Sequence, residues 1–187
     1  MGDPYVYPGT HVLINREDIR DSNDLEAFER RMTLQRMREG VPAVELSAAG
    51  YRKIHRHLFQ DVYLWAGKDR TVNIAKGGTM FCLAPHVGRQ LAQRFAALRA
   101  ERGLKGLTPE EFSERAAEHI SELNAIHPFR EGNGRTLRAF LERLGERAGH
   151  SVDLRRIEPA AWNDASVRGF RDGDDAPMRQ VIANALA

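Results

Sequence analysis

A single cysteine, Cys82, in 187 residues excludes an internal disulfide. No run of about 18 or more apolar residues occurs, so the sequence offers no membrane-spanning helix. Met1-Gly2-Asp3-Pro4 lacks the basic and apolar stretches of a secretion signal. These absences predict a protein of a reducing cytoplasm. Excess charge is missing too: 28 basic residues face 26 acidic ones, a net +2, which argues against a surface built to coat nucleic acid. Lysine is scarce, with only Lys53, Lys68, Lys76 and Lys105, so that 24 of the 28 basic residues are arginine, whose planar fork suits phosphate. None of the four lysines stands in Gly-Lys-Ser/Thr, so there is no P-loop. His55 and His57 lie two apart and diverge on a helix. Without His-Glu-x-x-His or a second cysteine they make no zinc site, and they are expected on the surface. Gly-x-Ser-x-Gly and the kinase catalytic-loop signatures are also absent.

What is present is helix. Leu25, Phe28, Met32 and the neighbouring Leu34 recur at helical spacing from Asn23 to Arg38, and Gly40 with Pro42 ends the run. Tyr51, Ile54 and Leu58 mark a second helix over Ser47 to Gln60, with Phe59, Val62 and Trp65 extending its apolar face. Val87 to Ala100 and a helix from the Thr108-Pro109-Glu110-Glu111 capping box to about Ile126 follow. Arg135 to Ala148 is stopped by Gly149, and Pro159 to Phe170 and Pro177 to Leu186 close the chain. Between them, Thr71-Val72-Asn73-Ile74 and Thr79-Met80-Phe81 flank Gly77-Gly78, which predicts a hairpin over about 70–84. With no composition break and 42% hydrophobic residues, the expectation is one all-α domain over 1–187 carrying a small β-hairpin.

The chemistry concentrates in His127-Pro128-Phe129-Arg130-Glu131-Gly132-Asn133-Gly134-Arg135, followed by Arg138. Seven fixed positions and one acidic one would meet by chance on the order of 10^-8 in a chain this size, which sets the string apart from a lone Gly-x-Gly. Pro128 turns His127 out of the helix before it. Gly132-Asn133-Gly134 lets successive N–H groups point to one place at the start of the next helix, a ready phosphate site. Arg135 and Arg138 leave the same face of that first turn and suit the outer phosphates of a nucleotide. Glu131 beside an anion implies Mg²⁺ held by one carboxylate and phosphate oxygens. His127 is the nearby group whose ordinary pKa suits proton abstraction at neutral pH. Phe129 is assigned to the core.

His127 to Arg138 resembles the Fic-domain signature His-Pro-Phe-x-Glu-Gly-Asn-Gly-Arg-x-x-Arg at every position. The resemblance implies the compact helical Fic fold and transfer of AMP from ATP to a Tyr, Thr or Ser hydroxyl of a target protein. His127 would be the catalytic base and Glu131 the Mg²⁺ ligand. Gly132, Asn133 and Gly134 would hold the α-phosphate, and Arg135 and Arg138 the β and γ phosphates. The hairpin falls where Fic proteins carry a flap, so Ile74, Lys76, Gly77, Gly78, Thr79, Met80 and Phe81 would dock the target as an added strand. Gly134 favours nucleotidyl transfer, since related protein kinases carry Lys there.

The resemblance also implies what is missing. Many Fic proteins carry an inhibitory Ser/Thr-x-x-x-Glu-Gly/Asn helix whose Glu pairs with the second signature arginine. Here Glu precedes Gly or Asn only at Glu39 and Glu131, four residues after Gln35 and His127. The expectation is therefore a bacterial cytoplasmic toxin, with a separate small antitoxin supplying an inhibitory helix against Arg138. Its candidate targets are type II topoisomerase B subunits. The alternatives are the Fic domain of a secreted effector modifying host proteins, and transfer of UMP or phosphocholine. A helix-turn-helix DNA binder using Arg135, Arg138 and Arg143 is disfavoured by Glu131 and Glu142 on the same surface. Neither membrane nor direct nucleic-acid partners are expected.

Overall fold

Periodic apolar faces close around one continuous core in this computed structural model, which describes residues 2–187. The helices are α1 (Ser22–Arg38), α2 (Ala48–Phe59), α3 (Val87–Ala100), α4 (Pro109–Ile126), α5 (Asn133–Ala148), α6 (Pro159–Asp172) and α7 (Ala176–Ala185). Strands β1 (Ala75–Lys76) and β2 (Thr79–Met80) pair antiparallel. The fold is thus all-α with one small hairpin. Among the described residues no helix is long and apolar enough to cross a membrane.

The α4 helix is the axis. It packs against α3, α5, α6 and α7, and buries Phe112, Ala116, Ile120 and Leu123. It starts where the capping box places it: the Thr108 side chain accepts from the Glu111 N–H, and the Glu111 carboxylate accepts from the Thr108 N–H. It ends at His127 in the left-handed conformation, φ 48° and ψ 63°. That geometry is uncommon for a residue with a side chain and costs roughly 1–2 kcal/mol. The next helix, α5, begins six residues after His127, so the connection between them is forced into a tight turn.

On α1, Leu34 is 47% exposed. Two sequence expectations change. His55, expected on the surface, is fully buried. It fills the slot four residues after Tyr51 on the face that also carries Ile54, Leu58 and Phe59. Both hairpin arms are shorter than expected, and the first lies later, at Ala75–Lys76, while the second stays within Thr79 to Phe81. Gly77 and Gly78, both at positive φ, make the turn, but Thr71 to Ile74 is not strand.

Candidate active site

The turn between α4 and α5 is held from inside by the side chains that fold it. Asn133 accepts from the Phe129 N–H at 2.9 Å and donates to the Phe129 carbonyl at 2.8 Å, closing the loop with both ends of its amide. Its own backbone N–H is what it leaves for a ligand. Phe129 is fully buried and stacks on the His55 ring at 3.8 Å between centroids. His55 Nδ1 accepts from the Gly67 N–H at 2.8 Å, so Nε2 carries the proton and donates to the Glu131 carbonyl at 3.0 Å. Burial pushes the His55 imidazole down to about 3, and the ring stays neutral.

Gly132 caps α5 at φ 83°, and a Cβ there would stand 2.2 Å from the Phe59 ring. The first-turn N–H groups of Asn133, Gly134 and Arg135 have no partner inside the helix, and no side chain caps them. Gly134 is exposed, and nothing lies within 4 Å of where its Cβ would be. Packing does not require glycine there, and the backbone is left open to solvent.

The two signature arginines differ. Arg135 is engaged: its Nη2 donates to Glu29 at 2.5 Å and lies 3.6 Å from Glu131, and its guanidinium sits 4.7 Å over the Phe59 ring. Glu29, on α1, also accepts from the Tyr63 hydroxyl at 2.5 Å. Arg138, half-buried, has no hydrogen-bond or carboxylate partner among the described residues, and burial lowers its pKa. A cation sheltered from water without a counter-ion is a strong attractor for an anion.

His127 stands across the loop. Its Nδ1 lies 3.1 Å from the Asn124 carbonyl, an acceptor only, so Nδ1 carries the proton and Nε2 presents a lone pair. Phe81, buried, covers the imidazole with ring centroids 3.8 Å apart, and Phe170 stacks on Phe81 at 4.6 Å. Burial pushes His127 down to about 4, despite its bond to Asn124. The imidazole is therefore an unprotonated acceptor at neutral pH.

Glu131 holds the Gly132 N–H at 2.8 Å through Oε1, and its side chain is 46% exposed. Among the described residues no three His, Cys, Asp or Glu groups converge on one point. A divalent ion here would rest on one carboxylate and on oxygens of a ligand, which is the usual way Mg²⁺ is held. On the flap, Lys76, Gly77, Gly78 and Met80 are exposed, Ile74 and Thr79 are half-buried, and only Phe81 turns inward.

Comparison with known proteins fits this geometry. The Fic/DOC family model matches residues 45–144. The chain belongs to the Fic/DOC family. It is 46% identical over 98% of its length, and 96% of the relative's, to a probable protein adenylyltransferase, y4lH, of Sinorhizobium fredii. It is 39% identical to the protein adenylyltransferase VbhT of Bartonella schoenbuchensis over 97% of this chain but 39% of VbhT. Among solved structures, the Bartonella tribocorum effector BepC with bound AMPPNP superposes at a TM-score of 0.91, with 30% identity over 98% of this chain and 96% of that one. The fold is the Fic fold, and the chain is an enzyme of the protein adenylyltransferase class.

Sequence reasoning missed Glu29, His55 and Arg70, which touch the Fic loop from elsewhere in the chain. Only His55 carried a local signal, its place in the 51, 54, 55, 58, 59 pattern. Its burial has a measurable consequence. His55, His127 and the buried His119 all have folded pKa values below the ordinary value near 6.5, and burial is the main cause in each. Below about pH 6.5 the unfolded chain binds protons that the folded chain refuses, so stability falls with pH. Urea titrations should show a midpoint that is flat above about pH 7 and declines from about 6.5 toward about 4. The decline should flatten in His55→Phe, provided that variant folds; an unchanged slope there would contradict this account.

Proposed function

We propose that this Fic enzyme transfers AMP from ATP to a Tyr, Thr or Ser hydroxyl of a target protein, as the toxin of a bacterial toxin–antitoxin pair. The observation that carries the reading is one loop offering a free imidazole lone pair, three uncapped helix N–H groups and an arginine with no partner among the described residues. The His127 Nε2 takes the hydroxyl proton as the hydroxyl oxygen bonds to the α-phosphorus. The bond from that phosphorus to the bridging oxygen breaks, and pyrophosphate leaves. The N–H groups of Asn133, Gly134 and Arg135 hold the α-phosphate oxygens as their charge grows. Arg138 binds the outer phosphates, and Arg135 adds to them from its place against Glu29. Mg²⁺, when bound, rests on Glu131 and neutralises phosphate charge. The exposed flap edge, with Ile74, Lys76, Thr79 and Met80, pairs with an extended target segment.

The toxin role is supported by Arg138 having no carboxylate partner among the described residues and by the lack of a Ser/Thr-x-x-x-Glu-Gly/Asn sequence. A small antitoxin would bring a carboxylate to Arg138, and type II topoisomerase B subunits remain the candidate targets. The likeness to BepC, described as a translocated effector, favours a second reading as the Fic domain of an effector.

Incubating the protein with Mg²⁺, α-labelled ATP and a bacterial lysate tests the first reading. Label should appear on a protein band and should not be reproduced by γ-labelled ATP. Label seen only with a eukaryotic lysate would move the reading to the effector. Label seen only from UTP or CDP-choline would overturn AMP transfer.

A further inference from the structure

The most unusual side chain outside the signature is Arg70, a cation with 2% of its surface exposed and no carboxylate within 4 Å among the described residues. Its neighbour Asp69 is taken by Arg52 in a two-point pair at 2.7 and 2.5 Å. Burying an unpaired charge is costly unless polar groups surround it. Here the surroundings are backbone carbonyls. Nε donates to His127 at 2.8 Å, Nη1 to Val72 at 2.7 Å, and Nη2 to Cys82 and, at 3.3 Å, to Ile126. The Arg70 N–H donates to the Pro128 carbonyl at 2.8 Å.

These acceptors fall in two groups. Ile126 and His127 lie at the carboxyl end of α4, where unpaired carbonyls concentrate partial negative charge. Val72 and Cys82 lie on opposite arms of the flap, just before β1 and just after β2. One planar guanidinium therefore joins both arms of the hairpin to the residue that carries the imidazole. It also sits beside the backbone of His127 where φ is positive, a conformation that persists only where its surroundings impose it. Two further bonds run parallel: the Cys82 N–H donates to Ala125 at 3.1 Å and the Phe81 N–H to Ile74 at 3.2 Å. Phe81, on the same arm, covers the His127 ring.

We infer that Arg70 is a positioning residue that locks the flap and His127 into one unit, so that the docking edge and the proton acceptor are set together. The inference rests on His127 and the flap having the roles proposed above. A lysine could not replace it, because an ammonium is a single point with a shorter stem. It cannot reach four carbonyls spread around a plane.

Arg70→Lys and Arg70→Gln separate this from simple support of the fold. Hydrogen exchange at the amides of Phe81, Cys82 and His127 should quicken by about tenfold to a hundredfold in either variant, the loss expected for charge-assisted bonds. Amides in the centres of α3 and α5 should stay as protected as in the wild type. Binding of ATP with Mg²⁺, measured by calorimetry, should stay within about twofold, since the α5 amides and Arg138 are untouched. In the labelling assay kcat should fall and the KM for the labelled target rise together. Exchange that quickens uniformly over the whole chain, or ATP affinity lost in step with transfer, would overturn the inference and leave Arg70 a support of the fold. Should Arg70→Gln not fold, Arg70→Lys decides. Should wild type label nothing, the AMP-transfer reading fails while the exchange pattern still decides whether Arg70 joins flap to His127.

Discussion

Replacing His127 with Asn should lower the rate of AMP transfer by about 10²–10⁴-fold, the usual contribution of a positioned general base, while binding of ATP with Mg²⁺ is retained. Asparagine is the informative choice because position 127 sits at φ 48°. Asn tolerates the left-handed region better than other side chains, whereas Ala would mix backbone strain with loss of the base. The groups expected to hold phosphate, the α5 amides and Arg138, lie on the other side of the loop and are not bonded to the imidazole. Single-turnover transfer from α-labelled ATP, with calorimetric ATP affinity and a urea midpoint on the same sample, checks the claim. Equal loss of affinity and rate would mean that His127 supports the loop instead of taking the proton.

The second large effect concerns a glycine that packing requires beside one that it does not. Gly132→Ala should cost roughly 2–4 kcal/mol of stability. That combines a left-handed alanine with an overpacked core, because the new methyl would meet the Phe59 ring at 2.2 Å. Phe59 cannot retreat cheaply. It is fully buried, it stacks on His55 at 4.7 Å, and it carries the Arg135 guanidinium on its face. A shift of that ring moves the neutral imidazole that holds the Glu131 carbonyl and the arginine beside it, so transfer should be lost as well. Gly134→Ala is the counterpart. Its methyl meets nothing and its φ is ordinary, so stability should hold or rise slightly, and only nucleotide affinity should fall. If Gly134→Ala binds ATP as wild type does, the open space there is not where phosphate rests.

The parts of this enzyme that could be read in advance are those written locally. The signature is contiguous, the capping box at Thr108 is a four-residue code, and each helix shows its own periodicity. Glu29, Arg70 and His55 reach the loop across 106, 57 and 76 residues of chain, and no spacing rule in a single sequence brings them there. The hairpin shows a different limit. Thr71-Val72-Asn73-Ile74 has the composition of a strand, but its first residues are bonded elsewhere. The Thr71 N–H donates to the Tyr5 hydroxyl, and the Val72 carbonyl accepts from the buried Arg70 side chain. Tertiary demand there outweighs strand propensity.

Arg138 ends up as a charge for which the described residues supply no opposite. Any anion that reaches it stabilises the fold in proportion to the logarithm of its concentration over its dissociation constant. Two anions that reach it must exclude each other. If ATP and a carboxylate presented by another protein both bind there, as proposed, they would be rivals for one guanidinium, and the level of ATP in a cell would set part of how tightly such a protein is held.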